Sequence, residues 1–163
     1  MSFEVALVLS ILLCGLVAGL VLGFAIVVMP GIAVLGDREF LRAFQVIDGV
    51  IQRGQPIFGI VWVGSALAVA ASLGFGLGAL EGLDQAMLII TVVGYLLGVQ
   101  APTAMINIPL NNALQAIDLS SASDDVCRTA RADFEARWNR WNAVRTIVAT
   151  ASTLLFALIA LRT

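Results

Sequence analysis

Residues 83–112, LDQAMLIITVVGYLLGVQAPTAMINIPLNN, carry one charged side chain, Asp84, near the start, and three asparagines around a proline at the end. Between them lie more than twenty mostly apolar residues, the length a helix needs to cross a hydrocarbon layer roughly 30 Å thick. At 1.5 Å per residue a helix starting at Ala86 reaches Asn107 after about 31 Å, so Asn107, Asn111 and Asn112 arrive at the membrane edge, not at mid-depth. An amide facing hydrocarbon has no partner, and Pro102 and Pro109 free backbone carbonyls that need partners of their own. Ideal helical spacing puts Gln100, Thr103, Asn107 and Asn111 on one stripe. Two readings of that stripe stand at this point: a helix end that satisfies its own amides, or a polar cap over the mouth of a helical bundle.

Composition supports the membrane. Of 163 residues, 60% are hydrophobic and 12% charged, and the mean hydropathy is +1.00, a balance that in water would leave large apolar patches exposed. Spans are expected at about residues 5–35, 56–80, 83–110 and 143–161, giving an all-α four-helix transmembrane bundle in one integral membrane domain, residues 1–163. Glu4 precedes an apolar run too long for the core of a cleavable signal, so the first span is read as part of the bundle.

Orientation follows from arginine, because the chain has no Lys and no His. Arg38, Arg42 and Arg53 fall between spans one and two, and Arg128, Arg131, Arg137, Arg140 and Arg145 fall between spans three and four or at the edge of the fourth. Positive loops stay in the cytoplasm, which places both long loops inside, and both termini with the turn at Glu81 and Asp84 outside. The net charge of -2 gives no reason to expect nucleic acid as a partner; membrane lipids are the expected surroundings.

Cys14 and Cys127 lie at different depths and offer no disulfide framework. Without His or a Cys pair, a nitrogen or sulfur metal site is not expected, and no cofactor is implied. Gly15, Gly19 and Gly23, and again Gly94 and Gly98, recur every fourth residue and mark close-packing faces, within the bundle or between copies of a homo-oligomer.

Two further segments read as helices. Residues 36–55 offer Asp37 as an N-cap and Phe40, Leu41, Phe44, Ile47 and Ile51 along one face, an amphipathic interfacial helix between spans one and two. Asp48 shares that apolar side, either paired with a nearby Arg or lining a pocket. Residues 134–145 form a helical extension before span four, in which Trp138, Trp141, Asn142 and Arg145 share a face at i, i+3, i+4 and i+7. Such a face either anchors the chain at the membrane boundary or, with Gln100, Asn107 and Asn111, closes the bundle mouth.

The ordered set Val28-Met29-Pro30-Gly31, Phe44-Gln45-x-Ile47-Asp48, Asn107-x-Pro109-Leu110-Asn111-Asn112 and Trp138-x2-Trp141-Asn142-x2-Arg145 resembles the anthrone oxygenase-like family of small four-helix membrane proteins, and the resemblance covers nearly the whole chain. In bacteria that family is largely a domain of unknown function, and the resemblance implies a bacterial inner membrane. Its named activity, in fungal polyketide pathways, is oxidation of an anthrone to an anthraquinone by molecular oxygen. Family members commonly place Asn where this chain has Asp48, so a carboxylate that could act as a base stands in place of an amide.

By analogy this chain would be a metal-free oxygenase acting on a flat lipophilic carbon acid in a cytoplasm-facing pocket. The carbon acid, once deprotonated, is electron-rich enough to reduce oxygen directly. Asp48, Asn107, Asn111 and Arg145 are the catalytic candidates, as proton acceptor, amide donors and positive charge; Gln100, Trp138, Trp141 and Asn142 are the substrate-binding candidates. The alternative is a non-enzymatic membrane subunit that binds lipid or a partner through its arginine-rich loops.

Overall fold

A computed structural model describes residues 2–163. Five helices follow one another: α1 Phe3–Ala33, α2 Asp37–Gln52, α3 Pro56–Ala79, α4 Gly82–Gln115 and α5 Asp124–Arg162. All but α2 are long and apolar enough to cross a membrane, and no strand occurs among the described residues. Their outer faces are apolar: Ile60 is 68% exposed, Leu97 67% and Ile147 69%. Side chains of this kind require lipid, not water, as their neighbour, and the chain is an integral membrane protein.

Helix direction alternates. At one end the Ser10 and Ser72 hydroxyls share a hydrogen bond of 2.8 Å between α1 and α3, and Arg162 near the end of α5 pairs with Asp84 at the start of α4. At the other end lie both arginine-bearing connections. Arg131 of α5 donates to the carbonyls of Ala33 and Leu35, both at 2.8 Å, and to Asp37 at 3.2 Å, while its guanidinium lies 4.4 Å from the centre of the Phe40 ring. It thereby satisfies carbonyls that the end of α1 would otherwise leave orphaned. The two tight turns use glycines in the left-handed region, Gly54 at φ 80° between α2 and α3 and Gly82 at φ 57° at the start of α4.

Three π turns interrupt the long helices, at Phe24–Val28, Leu96–Gln100 and Thr103–Asn107. Each ends two residues before a proline, Pro30, Pro102 or Pro109. Proline has no N–H to give the carbonyl four residues back, and the N–H just before it reaches five residues back instead: Met29 to Phe24, Ala101 to Leu96, Ile108 to Thr103. Helix α4 therefore does not stop at the NIPLNN stretch but continues to Gln115.

The helical extension and span four are a single helix of 39 residues capped by Ser123, whose hydroxyl accepts from the Val126 N–H at 3.3 Å. Helix α2 lies across the arginine-rich end with Phe40, Leu41, Phe44 and Asp48 buried. Its cap is Gly36, not Asp37. Asp37 is the first helical residue, where a carboxylate still faces the positive end of the helix and where Arg131 holds it. The Gln45 amide of α2 donates to the carbonyls of Leu114 (2.9 Å) and Ile117 (3.0 Å), and Gln115 of α4 donates to the Gln45 carbonyl at 3.0 Å, which bolts α2 over the end of α4. Beyond it, the Asp118 carboxylate accepts from the Ser120 and Ser121 hydroxyls and the Ser120 N–H, which hold its pKa below the usual value.

The glycine faces divide. A methyl group on Gly98 would sit 2.8 Å from the Val148 side chain of α5, so α4 and α5 approach closely there. Gly19, Gly23 and Gly94 meet nothing within 4 Å among the described residues, so within the bundle the close approach falls at Gly98. Cys14 and Cys127 belong to separate apolar clusters, one along the four spans and one beneath α2.

Candidate functional site

A cavity of about 260 Å³ opens where those two clusters meet. All five helices line it: Val21 and Phe24 from α1, Phe44 and Asp48 from α2, Phe58 and Trp62 from α3. The π-turn region of α4 contributes Thr103, Asn107 and Asn111, and α5 contributes Trp138, Asn142 and Arg145.

Asp48 is 3% exposed and has no basic partner among the described residues. Three amides hold it instead. Asn111 Nδ2 donates to Oδ1 at 2.8 Å, and Gln115 Nε2 (2.9 Å) and Gln52 Nε2 (3.2 Å) donate to Oδ2. Oδ1 thus keeps a lone-pair direction free of protein donors. Asn111 is fixed from its other side, because its Oδ1 accepts the Trp138 indole N–H at 2.8 Å. Trp138 packs edge-on against Phe44, with ring centres 5.5 Å apart, and lies 5.7 Å from Phe24.

Arg145 is 5% exposed and has no carboxylate partner among the described residues. It donates to Thr103 Oγ1 at 3.0 Å and to Asn142 Oδ1 at 2.9 Å, and its guanidinium lies 5.7 Å from the Trp138 ring centre. Asn142 is anchored in turn by donating to the Val21 carbonyl at 2.9 Å, just before the first π turn. Two polar groups are left over. Among the described residues the Asn107 amide has no partner for either its nitrogen or its oxygen, and Arg145 Nε has none. Buried polar groups without partners are costly, about 1 to 3 kcal/mol each, and a bound molecule is one way to satisfy them.

Of the eight residues singled out in the sequence, Asp48, Asn107, Asn111, Trp138, Asn142 and Arg145 line this cavity. Gln100 and Trp141 do not. Gln100 turns to α3, donating to Ser65 Oγ at 3.1 Å beside the Tyr95 hydroxyl, which donates to the same Ser65 oxygen at 2.8 Å. The reason is the second π turn of α4: an extra residue in the turn rotates everything before it by about 100° relative to ideal spacing, which breaks the stripe between Gln100 and Asn107. Trp141 is half-buried on the flank of α5, at the edge of the face that Trp138, Asn142 and Arg145 share. Asn112 is exposed and accepts from Gln52 at 3.0 Å. Of the aromatic walls, Phe58 and Trp62 carry no mark in the sequence that separates them from ordinary core. Among the described residues no three His, Cys, Asp or Glu side chains gather.

Fold and cavity together define a four-span helical membrane protein with an aromatic, amide-rich chamber closed at one end by an interfacial helix. The chain belongs to the anthrone oxygenase family, whose model matches residues 48–155, beginning at Asp48 itself. No curated protein and no solved structure matches it.

Proposed function

We propose that the chain is a metal-free oxygenase that converts the acidic CH2 of a flat, lipophilic carbon acid to a carbonyl, in a chamber facing the cytoplasm. The observation that carries this reading is a buried carboxylate and a buried guanidinium lining one aromatic cavity, each held by amides or a hydroxyl instead of by the other's charge. Membership of the anthrone oxygenase family supports it, and aromatic walls beside a carboxylate and a guanidinium suit a flat carbon acid.

Asp48 Oδ1 takes a proton from the substrate carbon, and the developing charge spreads to the substrate's carbonyl oxygen. The positive field of Arg145, with the amide N–H of Asn107 once it turns to the ligand, stabilises that oxyanion in a site shielded from water. Trp138, Phe44 and Phe24 provide flat apolar walls for the ring system. The carbanion then gives electrons to O2 and forms a C–O bond. Protonation yields a hydroperoxide, and loss of the remaining C–H proton with O–O cleavage releases water. The balance is CH2 plus O2 to C=O plus H2O, with no external reductant.

The arginines Arg42, Arg53, Arg128, Arg137 and Arg140 at the α2 end support placing that end in the cytoplasm. The test is oxygen uptake by the purified protein with anthrone as substrate. One O2 per anthraquinone, above the spontaneous rate and unchanged by a chelator, supports the proposal; no acceleration across a panel of such carbon acids overturns it.

A further inference from the structure

The chamber has two kinds of edge. Toward α2 its edge is polar and cross-linked by hydrogen bonds, exposed Gln52 and half-buried Gln115 to Asp48 and Gln52 to Asn112, with Asn111 tied to both Asp48 and Trp138. Its remaining accessible lining is apolar: Leu20 is 37% exposed and Ile108 46%, and Phe58 and Trp62 are half-buried, stacked on each other with ring centres 5.4 Å apart. Helix α3 packs closely along α1 and on the first half of α4, but the π-turn half of α4 does not pack closely against it. Across that separation the Gln100 amide reaches Ser65, and below it Phe58 and Trp62 face the chamber from one side and Ile108 and Thr103 from the other.

The geometry points to a lateral portal between α3 and α4, through which the chamber takes its ligand from the hydrocarbon layer and not from water. This rests on reading the chamber as the site of a lipophilic ligand. An aqueous mouth would present polar lips that solvent can satisfy, whereas apolar side chains at partial exposure inside a membrane protein face lipid tails. The ligand class follows: a molecule that partitions into the bilayer, its polar end led toward Arg145 and Asn107 and its apolar body against Phe58 and Trp62. Amides at the α2 end would then hold the Asp48 carboxylate in place for a ligand that enters from the lipid side.

Two measurements test it in vesicles. A nitroxide on Ile108→Cys, with Ser120→Cys as the aqueous reference, reports collisions with dissolved O2, which concentrates in hydrocarbon, and with a water-soluble nickel chelate. The portal predicts oxygen-dominated relaxation at Ile108→Cys and nickel-dominated relaxation at Ser120→Cys; nickel dominance at both overturns it. With anthrone supplied in the lipid, Ile108→Trp or Leu20→Trp should lower kcat/KM about tenfold with the melting temperature held, since a narrowed entrance slows association. Full kcat/KM in both variants also overturns the portal. If the wild-type protein does not oxidise anthrone, the catalytic reading falls, while the nitroxide result still decides the portal.

Discussion

The carboxylate of Asp48 and the guanidinium of Arg145 are buried in the lining of one cavity and do not pair with each other. Asn111 and Trp138 stand in the chain of contacts between them. Opposite charges kept apart in a low dielectric cost more than a contact pair would, and such an arrangement is understandable where both charges are needed free for a third molecule.

Asp48→Asn tests the carboxylate. The new amide keeps the size but turns one acceptor into a donor facing the Gln52, Gln115 or Asn111 amides. Oxygen uptake with anthrone should fall by about 10²-fold or more, the usual scale of a lost general base, with a modest drop in melting temperature. Activity near wild type would assign Asp48 a structural role.

Arg145→Met separates charge from packing. The variant removes a buried cation without a counter-ion and leaves Thr103 Oγ1 and Asn142 Oδ1 short of a donor. The melting temperature should change little, because relief of the desolvated charge offsets those lost bonds. Turnover should drop by about 10² to 10³-fold, the scale of a lost oxyanion donor. A large loss of stability with activity retained per folded molecule would make Arg145 a structural clasp.

Much of this arrangement is legible from sequence because lipid is a strict solvent. It demands spans of about twenty apolar residues, and it makes a carboxylate on the apolar side of an interfacial helix conspicuous, as with Asp48. The face shared by Trp138, Asn142 and Arg145 follows from helical periodicity within one uninterrupted helix. Gln100 leaves the stripe expected of it because α4 is not such a helix: its π turns change the register, and only Pro102 and Pro109 hint at them. Phe58 and Trp62 gave no signal, since an aromatic lining a cavity and an aromatic filling a core look alike in one sequence.

Gly98→Leu should destabilise the bundle by about 1 to 3 kcal/mol, because added carbons meet the Val148 side chain. Gly19→Leu has open space and should leave monomer stability unchanged. Thermal denaturation in detergent compares the two. A change in particle size for Gly19→Leu alone would show that this face packs between protomers.

Arg131→Gln should lower stability by about 1 to 3 kcal/mol, since the Ala33 and Leu35 carbonyls lose a charged donor and Asp37 and Glu135 lose their partner. Because α2 is held there, chemical denaturation should show α2 loosening first, read by hydrogen exchange at Phe40 and Leu41. Unchanged exchange at both would argue that Gln45 and Gln115 suffice to hold the helix.

Proton removal by Asp48 can be measured without oxygen. In D2O under anaerobic conditions, NMR follows deuterium entering the CH2 of anthrone. The wild-type protein should accelerate that exchange above the solvent rate, and Asp48→Asn should not. Equal exchange in the two proteins, or none above solvent in a folded wild-type sample that binds anthrone, would remove Asp48 from the role of base.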